Sequence, residues 1–474
     1  MKTTSSSGFK GLAKSRLLWS ALRLDVVDLA YLPGHAPLSS RYWVEHRNAG
    51  KPQDWRHDWF IARVAALVRN SLRPGRLHHG NPIIEPGSLL VVTGTQNNRD
   101  ALRPVEDELQ SRTVSITHWT ENEWRQFDRQ AYRSGLAFLP ALLVRWLLAR
   151  GYVRKSFRWA GDVYGYLYGF YLAVRQALRE SRPSGVLVSN DHIGWFRAIV
   201  QAANDEHVPT FYVQHASVTE EFPPLNFDTA FLEGRDALEK YEVAARRQAS
   251  RAPTTDVFLV GMTKFDSHSQ RPHGRTSVRR IGLAANLLDD FDRIADLAEA
   301  IRAADRHLEL ALRPHPRASN ADIAKFEQLA QDQNLRLSDA RREPPVEFVA
   351  SLDAVIACDS SILLEAALLN VLPMYYPFSP DSNDYYGYCR SGLCERFDNT
   401  DSVIAELKRL ESGRADVRAA ARHYVATAGS AWEGRSSQLI AEVIERRIIE
   451  ADLPDLWVRI DQDAHHRVWA LKES

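Results

Sequence analysis

Cysteine is scarce: the 474 residues contain three, Cys358, Cys389 and Cys394. That number excludes a disulfide framework and fits a reducing compartment. The spacing of Cys389 and Cys394 is not a zinc pattern. Also absent is any apolar run of the roughly 18 to 20 residues that a membrane-spanning helix needs. The nearest, Leu136 to Ala149, carries Pro140 and Arg145. Met1 to Gly11 is polar and serine-rich with no apolar stretch behind it, so it reads as a disordered leader rather than an export signal. A cytoplasmic protein is expected. No Walker A loop, Gly-x-Gly-x-x-Gly, His-Glu-x-x-His or Gly-x-Ser-x-Gly occurs, which removes P-loop hydrolysis, the dinucleotide fingerprint, zincin proteolysis and the serine-hydrolase elbow. No nucleic-acid motif is recognisable, and no nucleic-acid partner is expected.

What is present is an ordinary globular composition, 45% apolar and 25% charged, at a length that implies two or more domains. Formal charge is zero overall, yet residues 1–160 hold 24 Lys and Arg against 13 Asp and Glu, an excess that the remainder offsets. A basic first third faces anionic lipid or a phosphorylated acceptor, or is simply a solvated basic face. The segment from Leu136 runs into Arg150, Arg154, Lys155, Phe157, Arg158 and Trp159. Apolar residues flanked by cationic and aromatic ones suit an anionic membrane surface, at the inner face of the cytoplasmic membrane. A core-facing helix with snorkelling arginines is the plain alternative.

Taken in order, residues 12–80 read as helical, Trp55 to Leu72 most clearly, making 1–85 a leader and helical extension. From Ser88 strands and helices alternate. Leu89 to Thr93, Val114 to Thr117, Gly185 to Ser189, Thr210 to Val213 and Asp228 to Glu233 read as strands, with helices over Ala101 to Gln110, Asp162 to Glu180, Trp195 to Asp205 and Arg235 to Gln248. Ala249 to Asp256 suits a linker. The alternation begins again with strands at Val257 to Gly261, Val278 to Ala284, Leu308 to Leu312, Ala354 to Cys358 and Val371 to Tyr375. Helices are read at Asp290 to Ala304, Ser402 to Glu411, Ala415 to Ala426 and Arg435 to Glu450. Two such blocks predict an α/β protein with a Rossmann-like domain over 86–250 and a second over 256–430, leaving 431–474 as a terminal helix and tail that packs back on the first.

Polar clusters close several strands. Thr95, Asn97 and Asn98 follow the first, Asn190-Asp191-His192 the third and Gln214-His215-Ala216 the fourth. Such positions lie at the ligand edge of a parallel sheet. In the second block, Arg313 and His315 stand among prolines at a strand end. Asp359-Ser360-Ser361 separates a strand from an alanine- and leucine-rich helix carrying Glu365. Backbone amides and two hydroxyls at a helix start favour a phosphate, and Glu365 one turn on could accept from a ribose hydroxyl. An ordinary N-cap is the plain alternative. Ala285-Asn286 is placed at the same crevice edge, and Asp384 and Tyr385 on a turn-rich loop at 380–387.

Arg-Pro-His-Pro at 313–316 followed by Asp-Ser-Ser-x-x-x-Glu-Ala at 359–366 resembles the carboxyl-terminal half of GT-B glycosyltransferases that build bacterial surface polymers: CDP-glycerol glycerophosphotransferases, polysialyltransferases and capsule Kdo transferases. The likeness covers residues 185 to 440. It implies two Rossmann-like domains with parallel sheets facing a central cleft. It also implies donor-phosphate contacts from Arg313, His315, Ser360 and Ser361, ribose or base contacts from Glu365 and Asn286, and acceptor or cleft positions at Asn190, Gln214, Thr95 and Asn97. Ala216 replaces a glycine of the resembling element, which puts that loop's backbone in question, since glycine alone reaches φ > 0 freely.

Transfer to a hydroxyl needs a base and a site for the departing phosphate. His215 and Asp191 are the candidates for the base, with the choice open. No metal-binding Asp-x-Asp of the GT-A kind is read, so the expectation is a metal-independent, inverting transferase. Its donor is a nucleotide-activated sugar or polyol phosphate, CMP- or CDP-linked on the resemblance, with no further cofactor. The acceptor is a growing glycan, free or lipid-linked, of a capsule, lipopolysaccharide or similar polymer. The rivals are a sugar-nucleotide epimerase of GT-B shape and a non-catalytic nucleotide- or glycan-binding protein of a surface-polymer complex.

Overall fold

The computed structural model describes residues 25–26, 59–72, 80, 82–220, 222–248, 254–268, 278–379 and 382–472. The leader at 1–11, most of the helical reading over 12–58, part of the linker at 249–256, and Pro380 and Asp381 fall outside them.

Six strands of the first sheet are β1 (Leu89–Val92), β2 (Ile116–Trp119), β3 (Gly185–Val188), β4 (Thr210–Val213), β5 (Thr229–Leu232) and β6 (Thr255–Leu259). They run parallel in the order β6-β5-β4-β3-β1-β2. Strands such as Leu-Leu-Val-Val are buried throughout, as expected where helices cover both faces of a parallel sheet. The second sheet contains β7 (Arg280–Ala284), β8 (Glu309–Arg313), β9 (Arg336–Leu337), β10 (Ala354–Ala357), β11 (Leu372–Tyr375) and β12 (Glu395–Arg396), also parallel, in the order β12-β11-β10-β7-β8-β9. Each sheet reverses its winding once, between β1 and β3 and between β7 and β10. Ligands of open α/β sheets bind at such points, outside the strands' carboxyl ends. Those ends face each other, since Ser217 Oγ, beyond β4, meets Tyr388 Oη at 2.6 Å and the Lys240 ammonium donates to the Tyr386 carbonyl at 3.0 Å. This is the GT-B arrangement.

The chain's last segment returns to the first domain. Helix Ser436–Ile448 packs against helix Gln96–Ser111, where Arg112 pairs with Glu445 at 3.0 Å. A hairpin of β13 (Trp457–Gln462) and β14 (His466–Leu471) then extends the first sheet, β14 lying parallel to β6. Only a helix and tail were expected there; the alternation His466, Val468, Ala470 is a strand's period and carried the signal. Buried Asp256 on β6 ties the return together, accepting from Arg447 at 2.7 Å, Arg467 at 2.6 and 3.0 Å and the Trp469 indole at 3.2 Å.

Several boundaries differ from expectation for identifiable reasons. The helix expected from Ala101 starts at Gln96, because Thr95 and Asn98 form a reciprocal capping box. The helix expected from Asp162 begins at Gly151 and runs 31 residues to Ser181, stopped by Arg182 in the left-handed conformation with Pro183 behind it. The apolar stretch from Leu136 is divided into Asp128–Leu136 and Leu139–Leu148, with Pro140 in the second helix's first turn. Of the helix expected over 415–426, Arg418–Ala421 forms. Asp290-Phe291-Asp292 does spell Asp-x-Asp, but Asp290 is the N-cap of helix Phe291–Ala304 and accepts from the Asp292 amide.

The first domain's helical layer is organised on the long helix. Phe60–Ser71, the described part of the helical extension, meets it at Gly161 and Gly165, and Asp128–Leu136 meets it at Gly165 and Gly169, glycines spaced four apart on one face. A Cβ on Gly169 would stand 1.9 Å from the Ala131 carbonyl oxygen. Gly169→Ala should therefore lower stability by about 1–3 kcal/mol, as overpacking does. The check is urea denaturation; an unchanged midpoint would contradict the close crossing.

Candidate active site

The first wall of the cleft is built from loops after β3, β4 and β5. Asn190 Oδ1 accepts the amides of His192 (3.2 Å) and Ile193 (2.8 Å), turning the chain into helix Gly194–Asp205. Asn190 thus shapes the loop from a buried position. Asp191 is buried, with Oδ1 2.9 Å from His192 Nδ1 and Oδ2 accepting the Tyr241 hydroxyl at 2.7 Å; Tyr241 in turn meets the Tyr212 hydroxyl at 3.1 Å. Burial acts to raise the Asp191 pKa, but the hydrogen bonds from His192 and Tyr241 and the nearby imidazoles hold it below the usual carboxylate range.

His215 stacks on His192, centroids 6.5 Å apart and planes within 19°. Its ring bonds the Ser189 carbonyl, while Nδ1 is buried without a hydrogen-bond partner. Burial lowers its pKa to about 4, although Asp191 pulls the other way. The imidazole is therefore neutral at physiological pH, with an unshared lone pair. Ala216 keeps a negative φ, so the replaced glycine demands no special backbone.

Gln214 is buried and bridges neighbouring strand ends. Its amide donates to Glu233 Oε2 at 3.1 Å and the Ala216 carbonyl at 3.0 Å, and its oxygen accepts the Glu233 amide at 2.9 Å. It holds Glu233 rather than facing the cleft. Burial raises the Glu233 pKa to about 8; Lys264 opposes this, and Glu365 and Asp236 add to it. At the β1 loop, Thr95 and Asn97 are exposed and Thr95 is occupied as a cap. Their neighbour Asn98, fully buried, reaches the Ser189 carbonyl at 3.4 Å, joining the two strands at the switch point.

On the opposite wall, His315 Nδ1 accepts the Arg317 amide at 3.1 Å, which puts the ring proton on Nε2. Burial, then the charges of Arg317 and Arg313, lower its pKa, so it is a neutral donor. Half-buried Ser360 and Ser361 precede helix Ile362–Leu368, with Ser361 at the N-cap position but making no side-chain cap bond. The Ser361 hydroxyl is thus not spent on capping, while Ser360 Oγ accepts the Ile362 amide at 3.4 Å. Asn286 donates to the Asp359 carbonyl at 2.8 Å, tying the loops after β7 and β10 together at the second switch point. Beside it, Asp289 is raised to about pH 7 by burial and by the charge of Asp359.

Two expected contacts are otherwise engaged. Arg313 is buried and donates to Ser338 Oγ at 2.7 Å and to the Glu343 carbonyl at 2.8 Å, with its guanidinium 5.2 Å from the Phe348 ring centre. It braces the strand end that carries His315. Glu365 is also buried, and its carboxylate pairs with the Lys264 ammonium at 2.7 Å in place of a ribose hydroxyl. Both side chains sit where burial requires a partner, and the protein supplies one.

Sequence reasoning placed Gly261 to Asp266 at the crevice edge and His192 in a strand-end cluster without assigning Lys264 or His192 a role, and it passed over Glu233. Glu233 closes a strand just as His215 does, so the strand-end rule applied to it equally. Lys264 lies in Gly261-Met262-Thr263-Lys264, beyond β6 at the crevice edge. Its field reaches Glu233 and His215 in the first domain and Glu365 in the second.

No protein family and no curated protein matches the chain by sequence. Solved structures resemble it in overall form. A UDP-GlcNAc 2-epimerase from Neisseria meningitidis bound to UDP-GlcNAc is 12% identical, covering 77% of this chain and 100% of that one at a TM-score of 0.49. The glycosyltransferase of kitacinnamycin is 13% identical, covering 77% and 100% at 0.48. The wall teichoic acid polymerase TagF is 12% identical, covering 82% and 98% at 0.46.

The buried titrating pair gives stability a definite pH dependence. Glu233 binds its proton more tightly folded than unfolded, so its contribution is complete below about pH 4.5 and is lost as pH rises through 8. His215 works oppositely, losing its contribution as pH falls from 6.5 through 4, so the two slopes offset each other near pH 5–6. Between about pH 7 and 8, above the range in which buried Asp289 titrates, the Glu233 slope is up to about 1.4 kcal/mol per pH unit. Glu233→Gln should flatten that decline in urea midpoints measured across the range; a wild-type slope in the variant would refute a protonated Glu233.

Proposed function

We propose that this protein is a metal-independent glycosyltransferase. It moves a sugar or polyol phosphate from a nucleotide-activated donor to a hydroxyl of a growing cell-surface glycan at the inner face of the cytoplasmic membrane. The observation that supports this best is the facing of two switch-point loop sets. One carries a neutral imidazole with an unshared, buried nitrogen (His215), and the other a neutral imidazole donor (His315) in the domain that carries the Ser360 and Ser361 hydroxyls.

In this reading His215 Nδ1 takes the acceptor proton as the hydroxyl attacks. Asp191, ionised and buried beside it, stabilises the imidazolium that forms. This divides the base role between the two candidates: His215 accepts the proton, and Asp191 supplies charge. The departing phosphate meets the His315 Nε2–H and the hydroxyls of Ser360 and Ser361. Interactions that strengthen as charge develops on the leaving group are the ones that raise kcat. Direct displacement from the opposite face inverts the anomeric centre. A cytidine nucleotide is the first donor to try, on the likeness of the Arg-Pro-His-Pro and Asp-Ser-Ser elements to families that use CMP- and CDP-linked donors.

An acid-base reaction on the sugar itself is the second reading, favoured by one observation: protonated Glu233 and neutral His215 end adjacent strands, as an acid and a base would. Epimerisation proceeds without acceptor and incorporates solvent deuterium into the sugar; transfer does neither.

His215→Asn should reduce kcat for acceptor-dependent donor consumption by about a hundred- to ten-thousand-fold, the usual worth of a positioned base, with the donor's KM little changed. Activity of the variant near wild type would overturn the assignment and favour a binding protein.

A further inference from the structure

Helix Leu139–Leu148 has ten residues and two unlike apolar faces. Leu139, Leu142 and Trp146 face the core; Leu142 is buried and Trp146 stacks on Phe60 with ring centroids 4.9 Å apart. The outward face is apolar as well: Leu143, Val144, Leu147 and Leu148 are 48, 55, 57 and 76% exposed. Among the described residues, packing does not account for four large exposed side chains in two turns, and clustered apolar exposure marks an interaction surface.

Just beyond lie Arg150, Arg154 and Arg158, all exposed: Arg150 is the N-cap of the helix that starts at Gly151, and Arg154 and Arg158 share one of its faces. Arg154 lies over the Trp146 ring, 5.6 Å from its centre, which ties the start of this helix to the helix that carries the apolar face. Among the described residues no carboxylate pairs with any of the three.

We propose that this surface seats the protein on an anionic phospholipid bilayer, with the four apolar side chains entering the acyl boundary and the arginine row meeting lipid phosphates. The charge selects this occupant. A second copy docked face to face would oppose the arginine row with its own, and a nucleic acid would leave the leucines in water. Among the described residues no helix is long and apolar enough to cross a membrane, so attachment here is lateral. The proposal does not depend on the transferase reading.

The test is flotation of the full chain with vesicles of phosphatidylcholine alone or mixed with phosphatidylglycerol, at low and high sodium chloride. Binding is expected only to the anionic vesicles and should weaken with salt. Arg150→Gln, Arg154→Gln and Arg158→Gln should each weaken it about fivefold. Leu147→Ser with Leu148→Ser should abolish it while circular dichroism and thermal unfolding stay as in wild type, since both side chains face outward. Failure of the wild type to float, or wild-type flotation by the leucine variant, would overturn the proposal. So would salt-insensitive self-association that the leucine variant removes, which would assign the face to a second copy.

Discussion

The ion pair of Lys264 with Glu365, beside the buried Glu233 of the first domain, is the interaction on which the site depends. Lys264 pairs directly with Glu365 of the second domain and lies within the field of Glu233 of the first. Glu233 and Glu365 are buried and would be costly to bury charged and alone. Burial raises the Glu233 pKa enough to keep its proton at neutral pH. The cluster is then one ammonium paired with one carboxylate and one neutral acid. The two strand edges approach closely at the Ser217–Tyr388 and Lys240–Tyr386 contacts.

The approach matters because each sheet delivers half of a site. Reversal of winding between β1 and β3 separates the helices on either side and opens space for the loops carrying Asn98, Asp191 and, one strand further, His215. Reversal between β7 and β10 does the same for Asn286 and Asp359, with His315 one strand away and the paired serines on the following turn. Both sets are braced from behind: Asn98 and Asn190 shape the first, and Arg313 and the Asn286–Asp359 bond the second. Polar residues that look like ligands in the sequence divide here into those facing the cleft and those holding them in place.

That division marks how far the sequence was legible. Strand runs such as Leu89–Val92, Thr210–Val213 and Ala354–Ala357 are short, apolar and bounded by polar turns, so the two α/β blocks and their ligand edges could be read from pattern alone. His215, Asp191 and His315 followed from being polar at those edges. Arg313, Glu365 and Gln214 stand at the same edges, yet their side chains are engaged internally, because partners such as Ser338, Lys264 and Glu233 lie 25, 101 and 19 residues away in sequence. Pairings at such separations leave no periodic trace. The β13–β14 hairpin escaped notice for a different reason: in Trp457–Gln462 the residues after the tryptophan are exposed, so an edge strand lacks the apolar run that marked the others.

The account stands on the second-domain loops being a nucleotide site. The most direct measurement is a thermal-shift panel of CMP, CDP, UDP, GDP and ADP against the wild-type protein and His315→Ala. A nucleotide at a hundred times its Kd adds about 2.7 kcal/mol of stability. One nucleotide, cytidine-based on this account, should raise the unfolding temperature of the wild type and leave the variant unmoved. No shift with any nucleotide would contradict the donor site and the transferase reading with it.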